Sequence, residues 1–292
     1  MANTLEFAKK YVPVLDEIYK HLSHTEGMDA GKKVDFTGTN EVKVLITNVD
    51  GGMGDYSRIN GYPKGDVSAR WETLKLTEER AKELNVDRMD NEEMENIFGI
   101  LVARFMEDYV VPEVDAFRFA KYASANGITK ATPTILTKDT IIAEIDEAVR
   151  QLNADEVPIA GRVLYINSNL QPLLNSALPR SWSSQGSVST LLNNYNGIPI
   201  KYVTPSRFYS EIELNDGTTD WGYKKSENGK NINFMLIYPE AILQVVKFAL
   251  PKVFTPDENQ YKDMWKFQFR MYHDAFVYEN KAKGIYLHTA TN

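Results

Sequence analysis

The chain has 292 residues, 43% of them hydrophobic and 25% charged, and its 33 basic against 40 acidic residues give a net charge of −7. This is enough chain for one large domain or two ordinary ones, and it excludes a wholly disordered protein and a protein that wraps DNA by counterion release. There is no cysteine, which excludes disulfide frameworks, thiolate zinc sites, iron–sulfur clusters and cysteine nucleophiles together.

Residues 1–40 begin MANTLEFAKKYVPVL, without the apolar core and cleavage site of a secretory signal. Leu5, Ala8, Val12, Leu15, Tyr19 and Leu22 recur at near-helical spacing, interrupted by Pro13, and a polar stretch follows. The segment reads either as a short amphipathic helix with a loop or as an extended arm that packs on a neighbour. In residues 41–90, Val42, Val44 and Ile46 alternate with Lys43, Leu45 and Thr47, and Trp71, Thr73 and Lys75 alternate with Glu72, Leu74 and Leu76. These predict a two-stranded ribbon. Its tip, 50–66, carries five glycines and is expected to be mobile. A ribbon of this size buries little alone and needs something to lie on.

Residues 91–124 carry the strongest helix signal. Asp90 or Asn91 caps it and Glu92, Glu93 and Glu95 suit its first turn. Ile97, Leu101, Phe105 and Tyr109 form one apolar stripe; Phe98, Val102, Met106 and Val110 form another beside it. Val114, Phe117 and Ala120 continue the pattern beyond Pro112, which predicts one long helix with a defect near Val111–Pro112. The richest apolar run, 97–105, contains Arg104 and is far short of the roughly 20 residues that span a bilayer. With no N-x-[ST] sequon either, a soluble cytosolic protein with no membrane partner is expected.

Residues 125–136 read as a linker. Thr137 or Asp139 then caps a helix with Ile141, Ile145, Val149 and Leu152 on its inner face. A short strand at 162–166, a cap at Asn167–Ser168 and a helix at 169–177 follow. Residues 179–196 are loop-like, Ile198, Ile200 and Tyr202 alternate as a strand, and 215–231 reads as a second mobile loop. Ile232, Phe234 and Leu236 alternate again. The clearest strand places Trp265, Phe267, Phe269 and Met271 on one face and Lys266, Gln268, Arg270 and Tyr272 on the other. After a turn at ENKAKG, Ile285 and Leu287 close the pattern. The class is α+β.

A search for chemistry gives little. GGMGDYS at 51–57 lacks the GxGxxG spacing, and no helix opens behind it to hold a phosphate. His21 and His24 share a helix face but have no third ligand nearby; His273 continues the Trp265 face and reads as a packed or hydrogen-bonded imidazole; no motif surrounds His288. Asp216, Thr218, Asp220 and Glu227 nearly fill a calcium loop, but Trp221 stands where its turn requires glycine. There is no GxSxG elbow. Carboxylate pairs such as Glu78/Glu79 and Glu92/Glu93 sit in polar contexts where a raised catalytic pKa is not expected. No catalytic residue, cofactor-binding residue or metal ligand is assigned, and no cofactor is expected.

The order of parts, an arm, a long ribbon with a glycine-rich tip, a long helix, a compact segment and a return to long strands, resembles the major capsid proteins of tailed bacteriophages with the HK97-type fold. The resemblance is carried by WETLKLTEERAKELNVDRMDNEE (71–93), VVPEVDAFRFAKYA (110–123), RVLYINSNLQPLL (162–174), GIPIKYVTPSRF (197–208) and FQFRMYHDAFVYENKAKGIYLH (267–288). It implies an N-terminal arm at 1–40, an E-loop at 41–90, a P-domain with its spine helix at 91–136, an A-domain at 137–246 and P-domain return strands at 247–292. It implies a non-enzymatic, self-assembling subunit of an icosahedral head that encloses DNA without sequence-specific binding. The shell is a homo-oligomer of hexamers and pentamers, assembled in the host bacterial cytoplasm with a portal and a separate scaffolding protein. In the family the E-loop lies over an adjacent subunit, which makes Tyr56, Arg58, Lys64 and Trp71 subunit-contact candidates. Some members join an E-loop lysine to a P-domain asparagine; Lys64 and Asn280 supply the residue types but match neither position, so crosslinking is not expected. An encapsulin-type nanocompartment shell, which shares the fold, and a soluble α/β enzyme are the alternatives.

Overall fold

The computed structural model describes residues 23–29, 41–49, 52–59, 62, 64, 67–93, 97–177 and 192–291. The helical spacing expected between Leu5 and Leu22, His21 and most of the stretch 179–196 lie outside them. The chain forms two units, Lys33–Glu78 and Met1–Lys32 with Glu79–Asn292.

The small unit is the expected ribbon. Strands β1 (Glu41–Val49) and β2 (Val67–Lys75) run antiparallel in unbroken register, from Glu41 opposite Lys75 to Val49 opposite Val67.

The large unit opens with β3 (Glu78–Asp87), α1 (Arg88–Glu93) and α2 (Ile97–Phe105). A π turn at Met106–Val110 leads into α3 (Val111–Ser124), then β4 (Thr129–Lys130) and α4 (Ile141–Ala154). Next come β5 (Val163–Asn167), α5 (Gln171–Ala177), β6 (Asn194–Tyr195), β7 (Ile198–Val203), β8 (Ile212–Leu214) and β9 (Tyr223–Lys225). Last are β10 (Ile232–Ile237), β11 (Ile242–Phe254), β12 (Met264–Val277) and β13 (Ile285–Thr289).

A six-stranded mixed sheet, in the order β4-β13-β10-β5-β7-β6, is the centre of this unit. β10 is buried at all its positions, so it packs on both faces. Phe234 and Leu236 join Ile141, Ile145, Ala148 and Leu152 of α4 in one core. Met235 and Ile237 join Phe117, Phe119 and Tyr122 of α3 in another. Helices therefore cover both faces of the sheet. The β6–β7 hairpin turns at Asn196 and Gly197, whose φ of 49° and 80° suit that pair.

A three-stranded sheet, β11-β12-β3, packs on the other helices. Phe267, Phe269 and Met271 of β12 meet Phe98, Val102, Met106, Val110 and Val114 in a third core. The face expected for β12 is the observed one.

The long helix carries its defect one turn before the proline. The Val111 N–H donates to the Met106 carbonyl, five residues back. Pro112 brings no N–H and its ring crowds the carbonyl four residues before it; the widened turn absorbs that mismatch and the helix continues. Of the two apolar stripes, only Phe98, Val102, Met106 and Val110 are buried. Phe105 is half-buried, while Leu101 and Tyr109 are exposed. Likewise Ala148, not Val149, completes the buried face of α4, and Thr140 stands at its N-cap.

Three strands differ from expectation. Residues 78–87 leave the ribbon segment and form β3 in the large unit; Glu79 pairs with Arg270, and Glu83 accepts from Gln268 at 2.7 Å. Residues 223–225 of the expected mobile loop form β9, paired with β8. Residues 242–254 form β11, whose Pro251 lies opposite Phe269. A proline is tolerated there because β11 is an edge strand.

Phe98→Ala should cost the dispersed subunit about 3–5 kcal/mol in urea unfolding. Phe105→Ala should cost less and Tyr109→Ala least; the reverse order would place the helix on its other stripe.

Candidate functional site

The ribbon exposes all four residues singled out from the sequence. Tyr56 and Trp71 are 61% and 65% exposed, and Arg58 and Lys64 are exposed too. Trp71 lies across the ribbon from Leu45. Tyr56 packs edge to face on Tyr62 with ring centroids 5.1 Å apart. Met53, Ile59 and Tyr62, which the sequence analysis passed over, are more exposed than either aromatic named there. These large apolar side chains thus stand exposed on a two-stranded ribbon and its tip.

The large unit holds its polar groups differently. Asp115 of α3 is fully buried. Its carboxylate accepts from Ser23 Oγ at 2.7 Å, Thr25 Oγ1 at 2.6 Å and the His24 N–H at 2.9 Å, and meets Arg207 Nη1 at 3.2 Å. Arg118 donates to the same Thr25 hydroxyl at 2.9 Å. The Gln244 side chain donates to the Thr25 carbonyl at 2.9 Å, and its N–H donates to Asp29 at 3.2 Å. Residues 23–29 are thus tied to α3 and β11 by hydrogen bonds. His288 is buried against Phe234, with ring nitrogens 3.1 Å from Thr134 Oγ1 and from Asn233 Nδ2. Among the described residues, no three His, Asp or Glu side chains gather to hold a metal ion. Asp216 of the calcium-like run accepts from the Thr218 N–H and hydroxyl at 3.0 and 2.8 Å.

Between β3, the π turn and β12 lies an open cavity of about 340 Å³. Phe105, Val110, Val114, Phe269 and Met271 give it apolar walls. Arg80 and Glu113, 2.6 Å apart, stand at its polar margin with Trp221 of the β8–β9 hairpin. Arg80 also donates to the Asn215 carbonyl at 2.7 Å. His273 lines the cavity, packed edge to face on Phe117. Burial, reinforced by Arg118, Arg80 and Lys121, pushes its pKa down to about 3. No sequence motif marks this cavity, because its walls come from segments far apart in the chain.

No family model and no curated protein matches the sequence. Solved structures do match the fold. The capsid structure of the cyanophage P-SCSP1u aligns with a TM-score of 0.59 at 11% identity, over 88% of this chain and 85% of that one. A structure from Mycobacterium phage Che8 aligns with a TM-score of 0.56 at 15% identity, over 92% and 90%. The crystal structure of a virus-like particle from Pyrococcus furiosus aligns with a TM-score of 0.58 at 13% identity, over 97% and 99%. The chain has the α+β fold of these structures, the HK97-type fold that its sequence resembles.

Native His273 refuses a proton that the unfolded chain, near the ordinary value of 6.5, accepts. Stability should therefore fall as pH drops from 6.5 towards about 3, and the sign is that of a depressed histidine. The slope from this one group is about 1.4 kcal/mol per pH unit. Urea unfolding across this range should show the slope reduced by that amount in His273→Phe; an unchanged slope would assign the acid sensitivity to other groups.

Proposed function

We propose that this chain is a major capsid protein, the self-assembling structural subunit of an icosahedral phage head that encloses packaged DNA. One observation carries the proposal: the fold matches solved capsid structures along most of both chains; the exposed aromatic residues of the ribbon, which a shell contact could use, agree with it. On this proposal the ribbon is the E-loop, laid over an adjacent subunit through Tyr56, Arg58, Lys64 and Trp71. Helices α2 and α3 form the spine of the P-domain, to which β11 and β12 return. Residues 137–246, which give the six-stranded sheet its β5, β6, β7 and β10, are the A-domain. The subunit is not an enzyme. Its net charge of −7 suits a wall that confines DNA without gripping it. Hexamers and pentamers close the shell in the host cytoplasm, with a separate scaffolding protein and a portal, and the finished location is the virion.

Light scattering and negative-stain microscopy of the purified chain, alone and coexpressed with its neighbouring phage genes, test this. Closed shells or ring-shaped capsomers are expected, with DNA inside particles recovered from infected cells. A chain that stays monomeric in every condition would overturn the proposal, and shells filled with a cargo enzyme would favour the nanocompartment alternative.

Trp71→Ala tests the ribbon separately. Assembly yield should fall about tenfold, while the dispersed subunit loses no more than about 0.5 kcal/mol, as an exposed position allows. Equal damage to subunit stability and to assembly would make Trp71 part of the subunit's own core.

A further inference from the structure

We propose that the exposed stripe along α2 and the π turn is a contact between two copies of this chain, related by a two-fold axis that sets the helices antiparallel. The contact is separate from the ribbon's, and it is open to free subunits as well as to a shell.

The stripe is apolar where solvent meets the helix. Ile100, Leu101 and Tyr109 are 54%, 38% and 61% exposed, and half-buried Phe105 lies between the last two. The Phe105 and Tyr109 rings stack with their centroids 6.1 Å apart, so the stripe runs unbroken from the helix into the π turn. Side chains four residues apart stand one above another on a helix. Leu101, Phe105 and Tyr109 therefore form a ridge. The neighbouring stripe, through Phe98, Val102 and Met106, is already packed on β12. The ridge is left for water or for a partner.

The charges beside the ridge select the partner. Arg104, Glu107 and Asp108 are all exposed, and none of their side chains makes an ion pair or hydrogen bond among the described residues. Antiparallel pairing about Phe105 brings Leu101 to the partner's Tyr109. It also carries Arg104 within reach of the partner's Glu107 and Asp108. The two-fold axis repeats each contact, so the cation and the acids of both copies are used at once. Parallel helices would set Arg104 on Arg104. The patch is thus complementary to itself, and a second copy of the same chain fits it. A nucleic acid does not, because acids outnumber the cation there. The ridge supplies the apolar area, and the charges at its rim fix the orientation.

Charge inversion tests the contact on the purified full chain. Sedimentation equilibrium of the dispersed subunit should show a reversible dimer. Arg104→Glu should weaken it about tenfold, because like charges then meet on both sides of the axis. Combining Arg104→Glu with Glu107→Arg and Asp108→Arg should return the dimer to within about threefold of the original affinity, a rescue that a purely structural role does not give. Tyr109→Ala should also weaken the dimer while urea unfolding of the subunit stays nearly unchanged. That variant keeps the test decisive should the charge variants fold poorly. A dispersed chain that stays monomeric, a dimer indifferent to Arg104→Glu or to Tyr109→Ala, or a triple variant no better than the single one would each overturn the proposal. Shells that still form at full yield beside such a result would leave the shell reading standing and give the ridge to another partner. Dimers with this charge dependence and no shells in any condition would uphold the contact and count against the shell reading instead.

Discussion

Helix α3 is buried on nearly every side, and that constraint organises the large unit. From Val111 to Ala123 only Pro112, Glu113 and Lys121 escape full burial. A helix in such surroundings must satisfy whatever polar groups it carries. Asp115 and Arg118 are those groups. Their partners are drawn from two distant places: the short turn at Pro205–Arg207 and the turn at 23–29, where the Thr25 hydroxyl serves both charges. Removing one partner would leave a charge in the core, which costs more than the pair is worth. The apolar face of the same helix, through Phe117 and Phe119, sets the position of the central sheet.

The elements that were legible in the sequence are those whose partners are apolar and whose period is clean. β12 shows its buried face in Phe267, Phe269 and Met271, and the ribbon shows its alternation on both strands. β3 was not legible, because EERAKELNVD is made of residues that favour helices. Its half-buried face holds Glu78, Arg80 and Lys82 before Leu84 and Val86, and no local signal announces that Arg80 will meet Glu113 on a helix beyond. The rest of the strand is held by Arg270, Lys266 and Gln268 of β12, partners that only tertiary structure supplies. Phe105 and Tyr109 failed for the opposite reason: their spacing is right for burial, but the neighbouring stripe of Phe98, Val102, Met106 and Val110 is the one that meets β12.

The same distinction separates the two candidate surfaces. The ribbon's aromatics stand near glycines and charges in one short segment, so exposure can be inferred from composition. The cavity unites residues from Arg80 to His273, which no local sequence signal joins. The low identity to structures of the same fold, 11–15% over most of the chain, follows the same logic. Cores ask for apolar residues of suitable volume in the right period and tolerate wide exchange among them.

The position of β13 has a consequence for synthesis. It lies between β4 and β10, inside the six-stranded sheet, yet it is made from residues 285–289. Its neighbour β4 is complete at residue 130 and β10 at residue 237. On the ribosome these two must wait, with a strand-wide gap between them, until residue 289 has cleared the exit tunnel. The ribbon, both of whose strands are made by residue 75, has no such delay. A nascent chain therefore carries a finished ribbon, with its large apolar side chains exposed, well before the large unit can close.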